Sequence, residues 1–303
     1  MELLTLEELE NLEEFVALPI GLGKKIGSLN GLDFYSSEKL QLRFLETMRL
    51  NGRLKPVFPV LERLVKKDKI TPAFINKNIF RYLSYRFGPR VSTKNIAGMY
   101  IPDQKRIIIL MDNNTKLGFT NNDFIALLTM HEAVHMAAQE NPSGFMSTFR
   151  GDLEDYYFEV FKNIFSLKIK KKPKEIKDVV QYIFKKIEMR KKMSSKLFIN
   201  YFNMLVNTFS KYTNLERDKF EIAVRDWVVC VKLFWTNPMV VYRNSKTFAH
   251  VLGPLAHAYK TLWGKVPQEN FFVQEIGTPS EIIAVRSEIL LDSKTYKVFK
   301  LIK

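Results

Sequence analysis

Apolar residues recur at helical spacing through Ser37 to Leu50, Leu54 to Lys67 and Pro72 to Phe87, punctuated by Asn51-Gly52 and Gly88-Pro89. This spacing predicts a mainly helical N-terminal third. The pattern then changes to two short runs rich in β-branched and aromatic residues, Ile96 to Ile101 and Arg106 to Met111. They flank a Pro-Asp turn and predict a β-hairpin. Helical spacing returns over Thr120 to Gln139, with Thr120 as the expected N-cap and Asp123 near the positive end of the helix dipole. From Gly151 to about Leu262 the chain predicts helices near 151–168, 173–193, 195–212, 214–236 and 245–263, with no internal repeat. The tail holds a turn-rich link from Pro267 to Gly277, a helix opened by Thr278-Pro279, and an alternating run from Thr295 to Ile302. That run fits a strand able to close onto the hairpin.

Composition narrows the class. With 303 residues, 46% of them hydrophobic, the chain can bury a substantial core, which excludes disorder and collagen-like repetition. The first fourteen residues carry six Glu and no basic residue, and Thr5 with Glu8 fits a capping box on a solvated acidic helix. A secretory signal would be basic and then apolar, and the single Cys230 forms no internal disulfide, so an intracellular protein is expected. The most apolar stretch, Trp227 to Trp235, is short and contains Lys232. It falls below the roughly 18 apolar residues of a membrane span.

Charge adds a second feature. The 47 Lys and Arg against 32 Asp and Glu leave a formal net charge of +15, suited to an anionic partner. Residues 162–196 hold 13 Lys or Arg against 3 acidic residues, so ten of the fifteen excess charges lie in one stretch. Within it Val179-Val180, Ile183-Phe184 and Ile187 recur at helical spacing. They read as the buried stripe of a helix whose other face is solvated, or as the frame of a phosphate-binding surface with Tyr182 and Phe184 for stacking. Cys230, between Val229 and Val231, reads as a small core residue.

The chemistry centres on His131-Glu132-Ala133-Val134-His135. Residues four apart on a helix differ by only about 40° in direction, so both imidazoles reach one ion. Zn²⁺ accepts such nitrogens. Glu132, one step from the first ligand, projects elsewhere and suits a general base acting on water beside the metal. The apolar run Phe124 to Met130 supplies a face to bury the helix, and the chain has only four histidines.

The hairpin (GMYIPDQKRIIIL) and the motif helix (LLTMHEAVHMAA) resemble the zincin metallopeptidases. The resemblance implies a zinc-dependent hydrolase that binds its peptide alongside a sheet edge strand next to the HExxH helix. It covers well under half of the chain. The metzincin extension is absent, because Ala138 stands where Gly would be required and Pro142 lies near the place of the third His. A gluzincin-like arrangement, with Glu as third ligand on a later helix, fits better.

Two stretches compete for that Glu. Thr278-Pro-Ser-Glu281-Ile-Ile-Ala284 looks like the Pro-x-Glu-x-x-Ala pattern around the third ligand of several HExxH families, although Thr278 and Glu281 also satisfy a capping box. Glu281 lies 146 residues after His135, which makes the helical block an insertion. Glu154 lies 19 residues after His135, and Phe158, Phe161 and Phe165 make its face apolar, so it would be a buried carboxylate in need of a partner. Glu159 shares a face with Asp155 and Lys162 and reads as solvated. Glu281 is preferred to Glu154, with Asp155, Glu216, Glu221 or no third protein ligand as the further alternatives. His250 and His257 are seven residues apart, with Gly253-Pro254 between them; either could stabilise an oxyanion, or both are ordinary helix residues.

The reading is a mainly helical α+β protein with a zincin-like core, a small sheet plus the HExxH helix, and a large helical insertion. Its segments are 1–70 (N-terminal helices), 71–145 (core with hairpin and motif helix), 146–265 (basic helical insertion) and 266–303 (C-terminal return to the core). The expected activity is zinc-dependent hydrolysis of peptide bonds in a peptide or protein substrate. His131, His135 and Glu281 hold Zn²⁺ and Glu132 is the base. The alternative is a zincin-fold structural or assembly protein of a nucleoprotein or virion-like particle, attached through helices 162–196. The abundance of Lys, Asn, Ile and Phe fits an AT-rich genome, a phage's among them.

Overall fold

The computed structural model describes residues 23–29, 32–73, 98–110, 121–188, 194–236, 248–264 and 278–302, which form a mainly helical α+β fold. The acidic start, Thr120, the expected helix beyond Ala73, the outer ends of the expected hairpin and the end of the basic stretch at 189–193 lie outside these residues. The chain divides into two compact units, Met1–Met136 with Ile302 and Ala137–Leu301 with Lys303. The division falls inside one uninterrupted helix, Asn121–Glu140.

In the first unit, strands β1 (Lys24–Leu29) and β2 (Leu32–Ser36) pair antiparallel, with the register slipping between Lys25 and Gly27. Helix α1 (Glu38–Leu50) starts at Ser37, whose hydroxyl accepts the Leu40 N–H at 3.3 Å, and buries Leu40, Phe44 and Met48 at four-residue intervals. Helix α2 (Phe58–Lys66) has a Pro in its first turn and buries Leu61, Leu64 and Val65. A second sheet follows, made of β3 (Ile70–Ala73), β4 (Gly98–Ile101) and β5 (Arg106–Leu110) in the order β3-β5-β4. Strand β5 pairs parallel with β3 and antiparallel with β4. As the central strand it is covered on both faces, which is why Ile107 to Leu110 are all apolar and all buried.

The hairpin expected around the Pro-Asp turn is therefore present in β4 and β5, with Lys105 in the left-handed conformation closing the turn (φ 47°). Two of the helices expected in the N-terminal third are present, as α1 and α2, and the expectation needs correction for the strands around them. Strands β1, β2 and β3 stand there, and Pro72-Ala73, expected to begin a helix, end β3. Proline lacks the N–H that a central strand must donate, but among the described residues β3 stands at the sheet edge and tolerates it.

The second unit is helical. Helix α3 is the shared Asn121–Glu140, and α4 (Pro142–Ile164) begins one residue later. Asn141 makes the corner, its Oδ1 accepting the Gly144 N–H at 3.0 Å. Then come α5 (Ile176–Tyr182), continued by π turns over Ile183–Glu188, α6 (Ser195–Phe209), α7 (Arg217–Thr236), α8 (Ala249–Trp263) and α9 (Pro279–Leu290). Two single turns, α10 (Ser293–Tyr296) and α11 (Val298–Leu301), close the chain. Helix α8 runs through Pro254, so Gly253-Pro254 does not break it.

The strand expected over Thr295 to Ile302 is helical instead. Its buried residues, Val298, Phe299 and Ile302, follow a helical rather than an alternating spacing, and the Asp292 carboxylate accepts the Thr295 N–H at 2.8 Å and starts the turn. The core of this unit is aromatic. Phe161 stacks on Phe165 at 5.2 Å and meets Trp227 edge-on at 5.3 Å, and the Trp227 indole N–H donates to the Tyr201 hydroxyl at 2.8 Å. Val179, Val180, Ile183, Phe184 and Ile187 are buried, as the helical stripe predicts. Cys230 is buried, and burial pushes its thiol up to about 12. Among the described residues no helix is long and apolar enough to cross a membrane.

Candidate metal centre

Helix α3 is fixed by what it buries. Ala126, Leu127, Met130, Ala133, Val134, Met136, Ala137 and Ala138 are inside, and the buried Thr129 hydroxyl donates to the Ile125 carbonyl at 2.7 Å. Asn51 Nδ2, at the end of α1, donates to Asp123 Oδ1 at 3.0 Å and holds the first turn. Strand β4 runs close beside the helix. A Cβ on Gly98 would come within 3.1 Å of the Leu128 side chain, so glycine is what allows the approach.

His131 and His135 project from this helix half-buried, with ring centroids 4.9 Å apart and Nε2 atoms 3.1 Å apart. Two neutral imidazole lone pairs that close repel one another unless a proton or a cation lies between them. Two zinc–nitrogen bonds of tetrahedral geometry would set the nitrogens roughly 3.3–3.4 Å apart. The pair therefore fits a zinc ion, with Nδ1 of each ring left to carry the proton. Glu132 is buried, 8% exposed, on the intervening face.

Glu281, the candidate for a third donor, stands in the first turn of α9. One ligand atom from each of His131, His135 and Glu281 lies within 4.8 Å of the others, and this is the one such trio among the described residues. The donor set, two imidazoles and a carboxylate, suits zinc at a site with room for a further ligand. The rivals are engaged elsewhere. Glu154 and Asp155 share Lys172 Nζ at 3.0 and 2.8 Å, Glu216 pairs with Lys219 at 3.0 Å, and Glu221 pairs with Arg217 at 3.0 Å. Glu159, read as solvated, is largely covered and lies 3.6 Å from Lys162.

The capping-box reading of Thr278 and Glu281 is corrected. Thr278 occupies the N-cap position of α9 but makes no side-chain cap hydrogen bond. The first turn is tied instead to a distant residue, the buried Ser280 hydroxyl donating to Glu188 Oε1. Farther along α9 the buried Arg286 bonds Asp292 Oδ2 at 2.6 Å and the Thr295 hydroxyl at 3.0 Å, and makes a charge contact with Asp152 at 3.2 Å. Burial raises the Asp292 carboxyl, but the hydrogen bonds from Arg286 and Thr295 outweigh it and hold it near about 2.

Of the other histidines, His250 Nε2 lies 3.1 Å from Asp226 and His257 Nε2 lies 3.4 Å from the Thr261 hydroxyl. Neither joins the trio.

Sequence reasoning missed Glu188, Ser280, Asp152 and Arg286. Arg286 carried a usable signal, since a guanidinium inside the apolar run Ile282 to Leu290 must find a carboxylate. Glu188 and Ser280 carried none, being 92 residues apart. No protein-family model, curated protein or solved structure matches the chain.

Proposed function

We propose that the protein is a zinc-dependent hydrolase of peptide bonds with a zincin-like core, in which His131, His135 and Glu281 hold the ion. The observation that carries this reading is the approach of their three ligand atoms to within 4.8 Å, with a buried Glu132 beside them on the same helix. When bound, zinc supplies Lewis acidity toward a carbonyl and a water. Glu132 accepts the proton that the water loses as its oxygen attacks the peptide carbonyl carbon. It passes that proton to the departing amine nitrogen as the C–N bond breaks. Strand β4 has one free edge among the described residues, beside α3, and an extended peptide can add to it by main-chain hydrogen bonds.

The reading is tested by metal content and by cleavage of a peptide library. Glu132→Gln keeps about one zinc per chain and loses hydrolysis by roughly 100-fold or more. Retained activity in that variant would sink the mechanism.

A second reading, an assembly protein that meets an anionic partner, draws on the basic stretch. Lys168, Lys170, Lys171, Lys174 and Lys177 are exposed in and around the link from α4 to α5 and form no ion pair among the described residues. Binding to DNA or RNA through these lysines falls steeply with salt. A wild-type protein that binds zinc, cleaves nothing above background and shows salt-sensitive binding favours this second reading.

A further inference from the structure

We infer that Glu188 is a positioning residue for the third metal ligand, acting through Ser280; this rests on the metal-centre reading above. Glu281 is the third residue of α9, where a helix normally orients itself by its own cap. That local device is missing, because the Thr278 side chain makes no cap bond and Glu281 belongs to the histidine group. The turn carries instead a hydrogen bond from Ser280 Oγ to Glu188 Oε1, made by the residue next to the proposed ligand.

The acceptor is unusual in three respects. It is a carboxylate with its second oxygen, Oε2, fully buried, although burying a charge is costly. It ends a run of π turns, a widening of the helix that costs hydrogen-bond geometry and tends to occur where a side chain must be aimed. It also faces the completely buried Tyr157, whose hydroxyl finds no hydrogen-bond partner among the described residues. Burial chiefly, then Tyr201, Tyr156 and Glu188, push the Tyr157 phenol up. A half-buried carboxylate with one oxygen covered fixes the Ser280 hydroxyl, and with it the direction in which the next side chain, Glu281, leaves the helix. Outer groups that orient ligands in this way typically alter metal affinity by about 10- to 100-fold.

The test uses the full chain. Zinc affinity is measured by competition with a chromophoric chelator, and the visible absorption of the cobalt-substituted protein reports ligand geometry. The proteins compared are wild type, Ser280→Ala, Glu188→Leu and Glu188→Gln. Ser280→Ala and Glu188→Leu should weaken zinc by roughly ten-fold or more and shift the cobalt bands. Glu188→Gln, which keeps a carbonyl acceptor, should recover most of the affinity. If Glu188→Leu does not fold, Ser280→Ala, the loss of one oxygen atom, carries the test alone. Wild-type affinity and spectrum in Ser280→Ala, or weakened binding with unchanged cobalt bands, overturns the inference and leaves the metal centre standing. A wild-type protein that takes up no zinc overturns the metal centre itself, and the inference with it.

Discussion

Glu281 and Glu154 sit on helices that look alike in sequence, each a carboxylate among apolar neighbours, yet their surroundings differ. Glu154 lies in the middle of α4 with Lys172 at 3.0 Å, a cation it shares with Asp155, and that lysine is still 30% exposed. Its charge is already answered, in a screened setting where such a pair contributes little. Glu281 lies in the first turn of α9 and is grouped with two imidazoles, and its helix is anchored from within by Ser280 to Glu188 and by Arg286 to Asp292 and Asp152. Separation along the chain pointed the other way, 19 residues against 146. What distinguishes the two is the group each carboxylate meets in space, a lysine for Glu154 and two imidazoles for Glu281.

The sharpest way to break this comparison is metal content. His135→Ala and Glu281→Ala should reduce bound zinc from about one per chain to near background, while Glu154→Ala keeps it. Mass spectrometry on chelator-free protein reads this directly. Zinc lost in Glu154→Ala and kept in Glu281→Ala would reverse the assignment.

Stability comes next. Arg286→Ala leaves Asp292 without its cation and Asp152 with Lys294 alone, and it should cost about 3 kcal/mol, the lower end for a broken buried pair. Lys172→Ala, by contrast, should cost less than about 1 kcal/mol. Denaturant melts of the two variants measure the difference, and equal costs would mean that burial does not distinguish the regions.

Gly144 offers an intermediate effect. A Cβ there would come within 2.8 Å of both Asn141 Oδ1 and the Leu301 side chain, so Gly144→Ala should destabilise the corner between α3 and α4 by about 1–3 kcal/mol. A melting temperature equal to that of wild type would show that the corner relaxes.

The smallest effect is in acid. The Asp292 carboxyl is depressed in the folded chain, to about 2. Its contribution is therefore complete above the unfolded value near 4 and is lost as pH falls from about 4 to about 2. Asp292→Asn should flatten that part of the stability–pH curve, measured as the denaturation midpoint between pH 5 and pH 2. An unchanged slope would remove Asp292 from the network's pH dependence.

The region that was easy to read was governed by local rules. The HExxH spacing follows from the turn of a helix, and the apolar run before it provides the face that α3 buries. The hairpin could be read from β-branched runs around a turn, and the helices from Gly151 onward from their apolar period, although the first of them begins earlier, at Pro142. The errors have a common origin. Pro72-Ala73 became a strand because an edge place in a sheet was open to a proline, and the tail became helical because Asp292 caps it and its apolar residues face inward at helical spacing. Strand β3 depends on β5, far along the chain, and the burial of the tail depends on α4, although its cap is local.

By itself, then, the sequence determined a mainly helical α+β chain, the helix presenting His131, Glu132 and His135 on known faces, and a short set of carboxylates able to complete them. These are consequences of periodicity and of side-chain chemistry, which act within a few residues. Only the tertiary structure grouped Glu281 with the two histidines, gave Glu154 to Lys172, and brought Glu188 to Ser280 across 92 residues. Such choices are made when buried charges and polar groups must find partners, and a partner is fixed by packing in three dimensions rather than by distance along the chain.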